Sequence, residues 1–435
     1  MPVTKNKKTR PFFSIVIPTR DRPEYVANCL KYLSMQSFHD YEVIVSDNFV
    51  TRTCRDEFEE YSEDQRFIYL HPSQPLAMCD HWDFAISHAK GEYVAVISEK
   101  YIFRSDALKI VYEQLIKAPV ELVTWWHETY HVTEQVDDKI KGTFIPLNKP
   151  EAANEFSPLE ELKRCLSFVQ RPYSRELGIK ECLGKIYSGC FKRSLLKKII
   201  KQYGRIFPPT SPDITSKIAG LSLSSGCIDI GQPLMLVCSN PSISNGYQCI
   251  ESTSNIKKYF AELDDAETFI NNLPLKEIWV GTSNYIAHDY LAIQKLSDWP
   301  DFKDIKLNIY NLLAWEKLDL DAITFWESDG ERDKLFELWA NYFAQCSQAQ
   351  QKEITDMISK NRSNLPSPNE VSSALENNIG TLTHFVSAKE RARINWIDNK
   401  VFRVADEYLY YDSLDQVMAY FTEYYQESAK LLRLI

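Results

Sequence analysis

Within the first hundred residues the apolar positions come as short unbroken runs that each end in polar residues. Residues 12–18 (FFSIVIP), 41–48 (YEVIVSDN), 66–70 (RFIYL) and 91–98 (GEYVAVIS) have this form. Runs rich in β-branched residues with no alternation are expected of strands covered on both faces. Between them the spacing changes to that of a helix. Tyr25, Cys29, Leu30 and Leu33 follow a start signal in which Asp21 serves as N-cap, Pro23 occupies the first turn and Glu24 supplies an acid. A second helix runs through His81–Ile86 to Lys90-Gly91, where Gly91 closes it. Strand, helix, strand, repeated with crossovers of about 10–20 residues, predicts a mostly parallel α/β sheet.

Beyond residue 104 the pattern loosens. Residues 120–126 (VELVTWW) read as a further strand, 159–169 and 193–203 as helices, and Gly204 as a C-cap. From about residue 250 the period is 3.6, in 266–273, 332–345 and 413–435, and Ser413 with Gln416 forms a capping signature. The predicted organisation is a basic flexible tail over 1–11, an α/β domain over 12–248 and a mostly helical C-terminal domain over 249–435. A length of 435 residues exceeds one ordinary core and suits this division.

Composition narrows the class. With 44% hydrophobic and 25% charged residues the chain reads as soluble and globular. A net charge of −10 argues against nucleic acid as a partner. Ten cysteines without a CxxC pair, and no cleavable leader in the basic start that precedes PFFSIVIP, suggest reduced thiols in a cytoplasmic protein. No apolar stretch approaches the ~18 residues of a membrane span. In the last helix the stripe Leu414, Val417, Met418, Phe421, Leu431, Leu432 is expected to pack in the core or to form a seam between copies of the chain. Asp415, Glu423 and Glu427 against Lys430 and Arg433 suit an anionic surface poorly, so peripheral attachment at the inner face of the membrane is the lesser alternative.

Ligands of parallel α/β sheets bind beyond the carboxyl ends of the strands. Three such ends are polar here: Pro18-Thr19-Arg20, Ser46-Asp47-Asn48 and Ser98-Glu99-Lys100. Any one of them alone is an ordinary loop; three on successive strands make a crevice. His127-Glu128-Thr129-Tyr130-His131 matches the H-E-x-x-H pattern of zinc proteases, which needs both histidines on one face of a helix. Its neighbours are strand formers, and on a strand residues four apart stand ~13 Å from each other, too far to share an ion. Trp125, Trp126, Tyr130 and His131 either line a groove or belong to the core.

Taken together, SIVIPTRDRPEYVANCLKYLSMQS (14–37), YEVIVSDN (41–48) and AKGEYVAVIS (89–98) resemble the family 2 glycosyltransferases, whose domain has the GT-A nucleotide-sugar fold. The likeness continues more weakly through IYSGCFKRSLL (186–196), PPTSPDITSKIAGL (208–221) and SNPSISNG (239–246). The resemblance implies an inverting transfer from a nucleoside-diphosphate sugar, UDP-linked, to an oligosaccharide, polysaccharide or lipid-linked glycan in surface polysaccharide synthesis. It places Pro18, Thr19, Arg20, Asp47, Ser98 and Glu99 at the nucleotide, with Asp47 on the base, and makes Asp213 the general base. The family holds Mg²⁺ or Mn²⁺ on an acid-rich turn after the fourth strand, where this chain has Ser98-Glu99-Lys100-Tyr101. Three outcomes stay open: Lys100 replaces the metal, Glu99 alone recruits it, or the domain is inactive and only binds nucleotide sugar or glycan or serves as a scaffold.

Overall fold

The computed structural model describes residues 10–136, 139–144, 146, 148, 150–172, 183–207, 210–240, 251–263, 265–362 and 409–432. The predicted tail (apart from residues 10 and 11), the junction near 245–255 up to residue 250, and most of the SNPSISNG stretch lie outside these residues. Strands β1 (Phe13–Thr19), β2 (Tyr41–Asp47), β3 (Phe67–Leu70) and β4 (Tyr93–Val96) are parallel, in the order β4-β1-β2-β3. They are the four runs read from the sequence. Every residue of β1, β2 and β4 is buried, which is why their sequences do not alternate. The register sets Thr19 opposite Asp47 and Val16 opposite Val96, so the three polar ends emerge side by side.

The sheet then turns antiparallel. Beyond β4 come β9 (Gly189–Lys192), β6 (Leu122–Val136), β7 (Lys139–Phe144) and β11 (Leu409–Tyr411). A further strand, β10 (Cys227–Ser239), runs parallel to β6 and pairs antiparallel with β5 (Tyr101–Phe103) and β8 (Asn154–Glu155). One face of the sheet is covered by α1 (Pro23–Ser34), α2 (Arg55–Glu59) and α4 (Ala107–Lys117). The other is covered by α3 (Met78–Ser87), α5 (Pro158–Ser167), α6 (Arg193–Tyr203) and α7 (Pro212–Leu223).

Continuous with that second core are α8 (Thr253–Phe260), α9 (Ala266–Asn271), α10 (Thr282–Leu296), α11 (Pro300–Lys303), α12 (Ile309–Ala322), α13 (Asp329–Ala344) and α14 (Gln348–Arg362). The helical texture after residue 250 is therefore real. The final helix, α15 (Leu414–Leu431), does not join them. Leu414, Val417, Met418, Phe421 and Tyr425 enter the α1/α4 core beside β7 and β10, with ion pairing of Asp415 to Lys31 at 2.7 Å. Of its predicted stripe, Leu414, Val417, Met418 and Phe421 are core, whereas Leu431 is exposed and Leu432 half-buried at the end of the helix; Ser413 caps the helix by accepting from the Gln416 N–H. No helix among the described residues is long and apolar enough to cross a membrane.

Two local expectations are corrected. Asp21 is not the N-cap of α1; Arg22 is, with no side-chain cap. Asp21 sits at φ 57° and accepts the N–H groups of Val50, Thr51 and Arg52 at 3.0, 2.8 and 2.8 Å, tying down the loop after β2. Gly91 does not close α3, which ends at Ser87 with His88 as its C-cap. A Cβ on Gly91 would lie 2.5 Å from the Ser14 nitrogen, so glycine is there to let β1 and the chain entering β4 approach. Gly204, by contrast, is a left-handed C-cap as predicted, at φ 81°.

Candidate active site at the strand ends

Asp47 ends β2 fully buried. Its Oδ2 accepts from Thr53 Oγ1 and Tyr69 OH, each at 2.8 Å, and from the Cys54 N–H at 2.9 Å. Its Oδ1 is buried without a hydrogen-bond partner among the described residues, and the same holds for Thr19 Oγ1 and Arg20 Nε on the neighbouring strand end. Arg20 is otherwise anchored, donating through Nη1 to Glu262 at 3.1 Å and through Nη2 to the Leu76 carbonyl at 2.8 Å. Asn48 clamps Leu76 through both its amide groups, at 2.8 and 2.9 Å, which fixes the loop before α3. His71 meets the Asp47 carbonyl at 2.8 Å and stacks on Phe49 with ring centroids 4.6 Å apart. Pro18 is buried in β1 opposite Ser46 and contributes shape without a donor.

His81, on α3, was not singled out in the sequence as a site residue. It meets Ser46 Oγ at 2.9 Å. Burial brings its pKa down to about 4, helped by the charge of Arg20 and opposed by the Ser46 bond, so the ring is neutral at physiological pH.

Beyond β4 the turn carries Ser98, Glu99 and Lys100. Glu99 is 1% exposed; Arg22 Nη1 lies 2.9 Å from its Oε1, and Ser98 Oγ donates to its Oε2 at 3.1 Å. A hard divalent cation wants several oxygen ligands without competing positive charge. Here each oxygen of the lone carboxylate is engaged and a guanidinium touches one of them. Among the described residues no three His, Cys, Asp or Glu side chains are grouped so as to hold a metal ion. The residues present do not fit Mg²⁺ or Mn²⁺, and Glu99 is not placed as a metal ligand.

Asp213 lies in the first turn of α7, two residues past Ser211, the N-cap. Burial raises its carboxyl above the ordinary range, outweighing Lys185, the N–H groups of Asp213 and Ile214, and Lys100, all of which pull it down. Burial thus makes it a more basic carboxylate than its place in the first turn of a helix would by itself. Lys100 therefore shares one field with Asp213. Tyr187 joins them: its phenol is pushed up by burial, then by Tyr101, Asp213 and Glu99, and Ser98 bonds to it. Its ring stacks on Trp82 at 5.5 Å and meets Tyr101 edge-on at 4.8 Å. Arg22, Lys185 and Tyr187 were missed because Arg22 reads as a helix start and the other two lie far along the chain.

The H-E-x-x-H run lies on β6, as its strand formers indicate. His127 faces Tyr101 and Ser188, while Glu128 is buried and accepts from the Asn148 N–H at 2.8 Å and from Tyr425 OH. Trp125 and Tyr130 are fully buried core residues; Trp126 is half-buried and donates to Asp229 at 3.1 Å.

Comparison with known proteins bears on this crevice. GlyG, a glycosyltransferase of Streptococcus pneumoniae serotype 4, is 22% identical over 111 residues, 25% of this chain. That alignment spans 37% of the length of GlyG. Among solved structures, TarS 1–349 of S. aureus in complex with UDP-GlcNAc aligns with 84% of this chain and 92% of its own, at 15% identity and a TM-score of 0.42. The mannosyltransferase PcManGT of Pyrobaculum calidifontis, in complex with GDP-Man and Mn²⁺, gives 86%, 88%, 14% and 0.37 for the same quantities. Residues 14–177, the segment that holds all three polar strand ends, match the model of glycosyl transferase family 2.

Proposed function

We propose that this chain is an inverting glycosyltransferase with a GT-A catalytic domain. Its donor would be a UDP-linked sugar and its acceptor a hydroxyl of a surface glycan or its lipid-linked precursor, at work in the cytoplasm or at the inner face of the membrane. The observation that carries the reading is the row of buried, unpartnered polar atoms at Asp47 Oδ1, Thr19 Oγ1 and Arg20 Nε, within the segment matching the family. Buried polar atoms are normally satisfied, and a donor-acceptor row at strand ends suits a nucleoside. Asp47 would accept the N–H of the base, with the diphosphate crossing β1 towards Lys100.

In the reaction the Asp213 carboxylate takes the proton of the acceptor hydroxyl. The freed oxygen attacks the anomeric carbon from the side opposite the diphosphate, and the carbon–oxygen bond to the phosphate breaks with its electron pair. Lys100 stabilises the charge that arrives on the departing diphosphate. One displacement inverts the configuration. The test is a screen of nucleotide sugars for turnover, with and without EDTA. We expect turnover that survives EDTA, falls in Lys100→Ala, and falls by roughly 10²-fold in a folded Asp213→Asn protein. Turnover of no nucleotide sugar would defeat the enzymatic reading. Loss of turnover with EDTA and its return with Mn²⁺ would defeat the role of Lys100.

A further inference from the structure

We infer that Arg22 binds the donor's diphosphate and that Glu99 is the residue that positions it, an inference that rests on the proposed function. The ion pair joins two neighbouring strand ends. Arg22 follows β1 and Glu99 follows β4, and these strands are adjacent in the sheet. Thr19, opposite Asp47, ends β1 just before Arg22, and Lys100 follows Glu99 directly, so the pair belongs to the same row of strand ends.

An ion pair in this position has a structural reading, since a buried carboxylate needs a partner. The asymmetry of exposure favours more than that. Glu99 keeps 1% of its side-chain surface and Arg22 keeps 23%. The carboxylate is consumed, with Arg22 on one oxygen and Ser98 on the other. What the crevice presents is a guanidinium held in place. A guanidinium can hold a carboxylate and a phosphate together, because its five N–H donors fan out in one plane.

Charge points the same way. Lys185 and Lys100 both act on Asp213 through their charge and Arg22 on Glu99, so a diphosphate entering here would face cations. The cation that a divalent metal would supply to a diphosphate is then divided between Arg22 and Lys100.

The obvious variant is unsafe alone, because Arg22→Ala would leave Glu99 buried and unpaired. The double variant Arg22→Met with Glu99→Gln removes both charges at similar volume and is tested beside it. Uridine, UDP and inorganic pyrophosphate are titrated calorimetrically in EDTA. We expect UDP to bind the wild-type protein more tightly than uridine, and the double variant to lose about tenfold to a hundredfold of that gain, the size of one charge-assisted hydrogen bond, while uridine binding stays unchanged. Pyrophosphate binding should weaken in parallel. Arg22→Lys should restore part of the gain, and Glu99→Gln alone should lower kcat more than it changes UDP affinity. A double variant that keeps the full gain of UDP over uridine overturns the inference. If the wild-type protein binds neither uridine nor UDP, the proposed function fails instead, and pyrophosphate, which carries no base, still reports on Arg22.

Discussion

The two oxygens of Asp47 have different tasks. Oδ2 holds three donors from Thr53, Cys54 and Tyr69, and Oδ1 is buried without a partner. Asp47→Asn can keep the first task, with its carbonyl oxygen in the place of Oδ2, but it then turns an N–H₂ where an acceptor is wanted. UDP affinity should fall by about 1.5–3 kcal/mol with little change in melting temperature, read by calorimetry and thermal unfolding. Unchanged affinity would remove Asp47 from the site. Asp213 carries a pH signature. Its folded pKa is raised by burial, so the proton favours the folded state; that contribution is full below its unfolded pKa and is lost as pH rises through the folded one. Near pH 7 the ionised carboxylate therefore costs stability. Asp213→Asn should melt higher than the wild type near pH 7, with the difference closing towards about pH 4, while the acid limb of wild-type transfer lies above the ordinary carboxylate range. A lower melting temperature near pH 7 would mean that the helix terminus outweighs burial.

At the level of elements, α7 brings Asp213 to the crevice, and Gly220 lets it lie close on the sheet. A Cβ at Gly220 would meet the Phe191 ring at 2.5 Å. Mid-helix glycine costs about 1 kcal/mol relative to alanine, so Gly220→Ala would stabilise an isolated helix. Here overpacking should prevail, with a net loss of about 1–3 kcal/mol in urea unfolding and a drop in kcat as the helix end shifts. A more stable variant would show that the close approach is not required. The same balance of local and tertiary forces explains what could be read from the sequence. Strands β1, β2 and β4 were legible because burial on both faces writes continuous apolar runs, and β3, of which only Phe67 is buried, because its short run is made of strand formers. The end of β6 was not, since Thr133, Glu134 and Gln135 leave no apolar run there, and β10 was hidden by Gly231-Gln232-Pro233 at its register shifts. Asp21 looked like a cap, yet three N–H groups of a returning loop outbid the helix for it. The polar strand ends were legible as a crevice. Their junction with Arg22, Lys185 and Tyr187 was not, because it exists only once β1, β4 and the short turn before β9 have come together.

At the scale of the whole molecule, the chain's last described segment closes the sheet. β11 extends its edge beside β7, and α15 lies over β7 and β10, on the α1/α4 side. Its deepest polar contact is Tyr425, whose OH donates to Glu128 and also lies 3.0 Å from the Asn148 carbonyl. Burial and the neighbouring Glu128 push the phenol far up, so it remains a donor at any physiological pH. Glu128 is 2% exposed and also accepts the Asn148 N–H, so Tyr425→Phe would take one donor from a buried carboxylate while preserving the ring. The expected cost is about 1–3 kcal/mol of unfolding free energy. Because the contact joins α15 to β6, the loss should appear first as local opening. Amide exchange across 409–432 should accelerate while that of β1 to β4 stays close to the wild type. Transfer per folded molecule should persist, since Tyr425 packs in the α1/α4 core and Asp213 projects from the helix that covers the opposite face. If exchange in α15 is unchanged and stability is kept, the apolar stripe alone holds the helix down. If kcat falls while stability is kept, the sheet carries the effect to the crevice, and β6, which also bears His127 beside Tyr101, is the element through which it would travel.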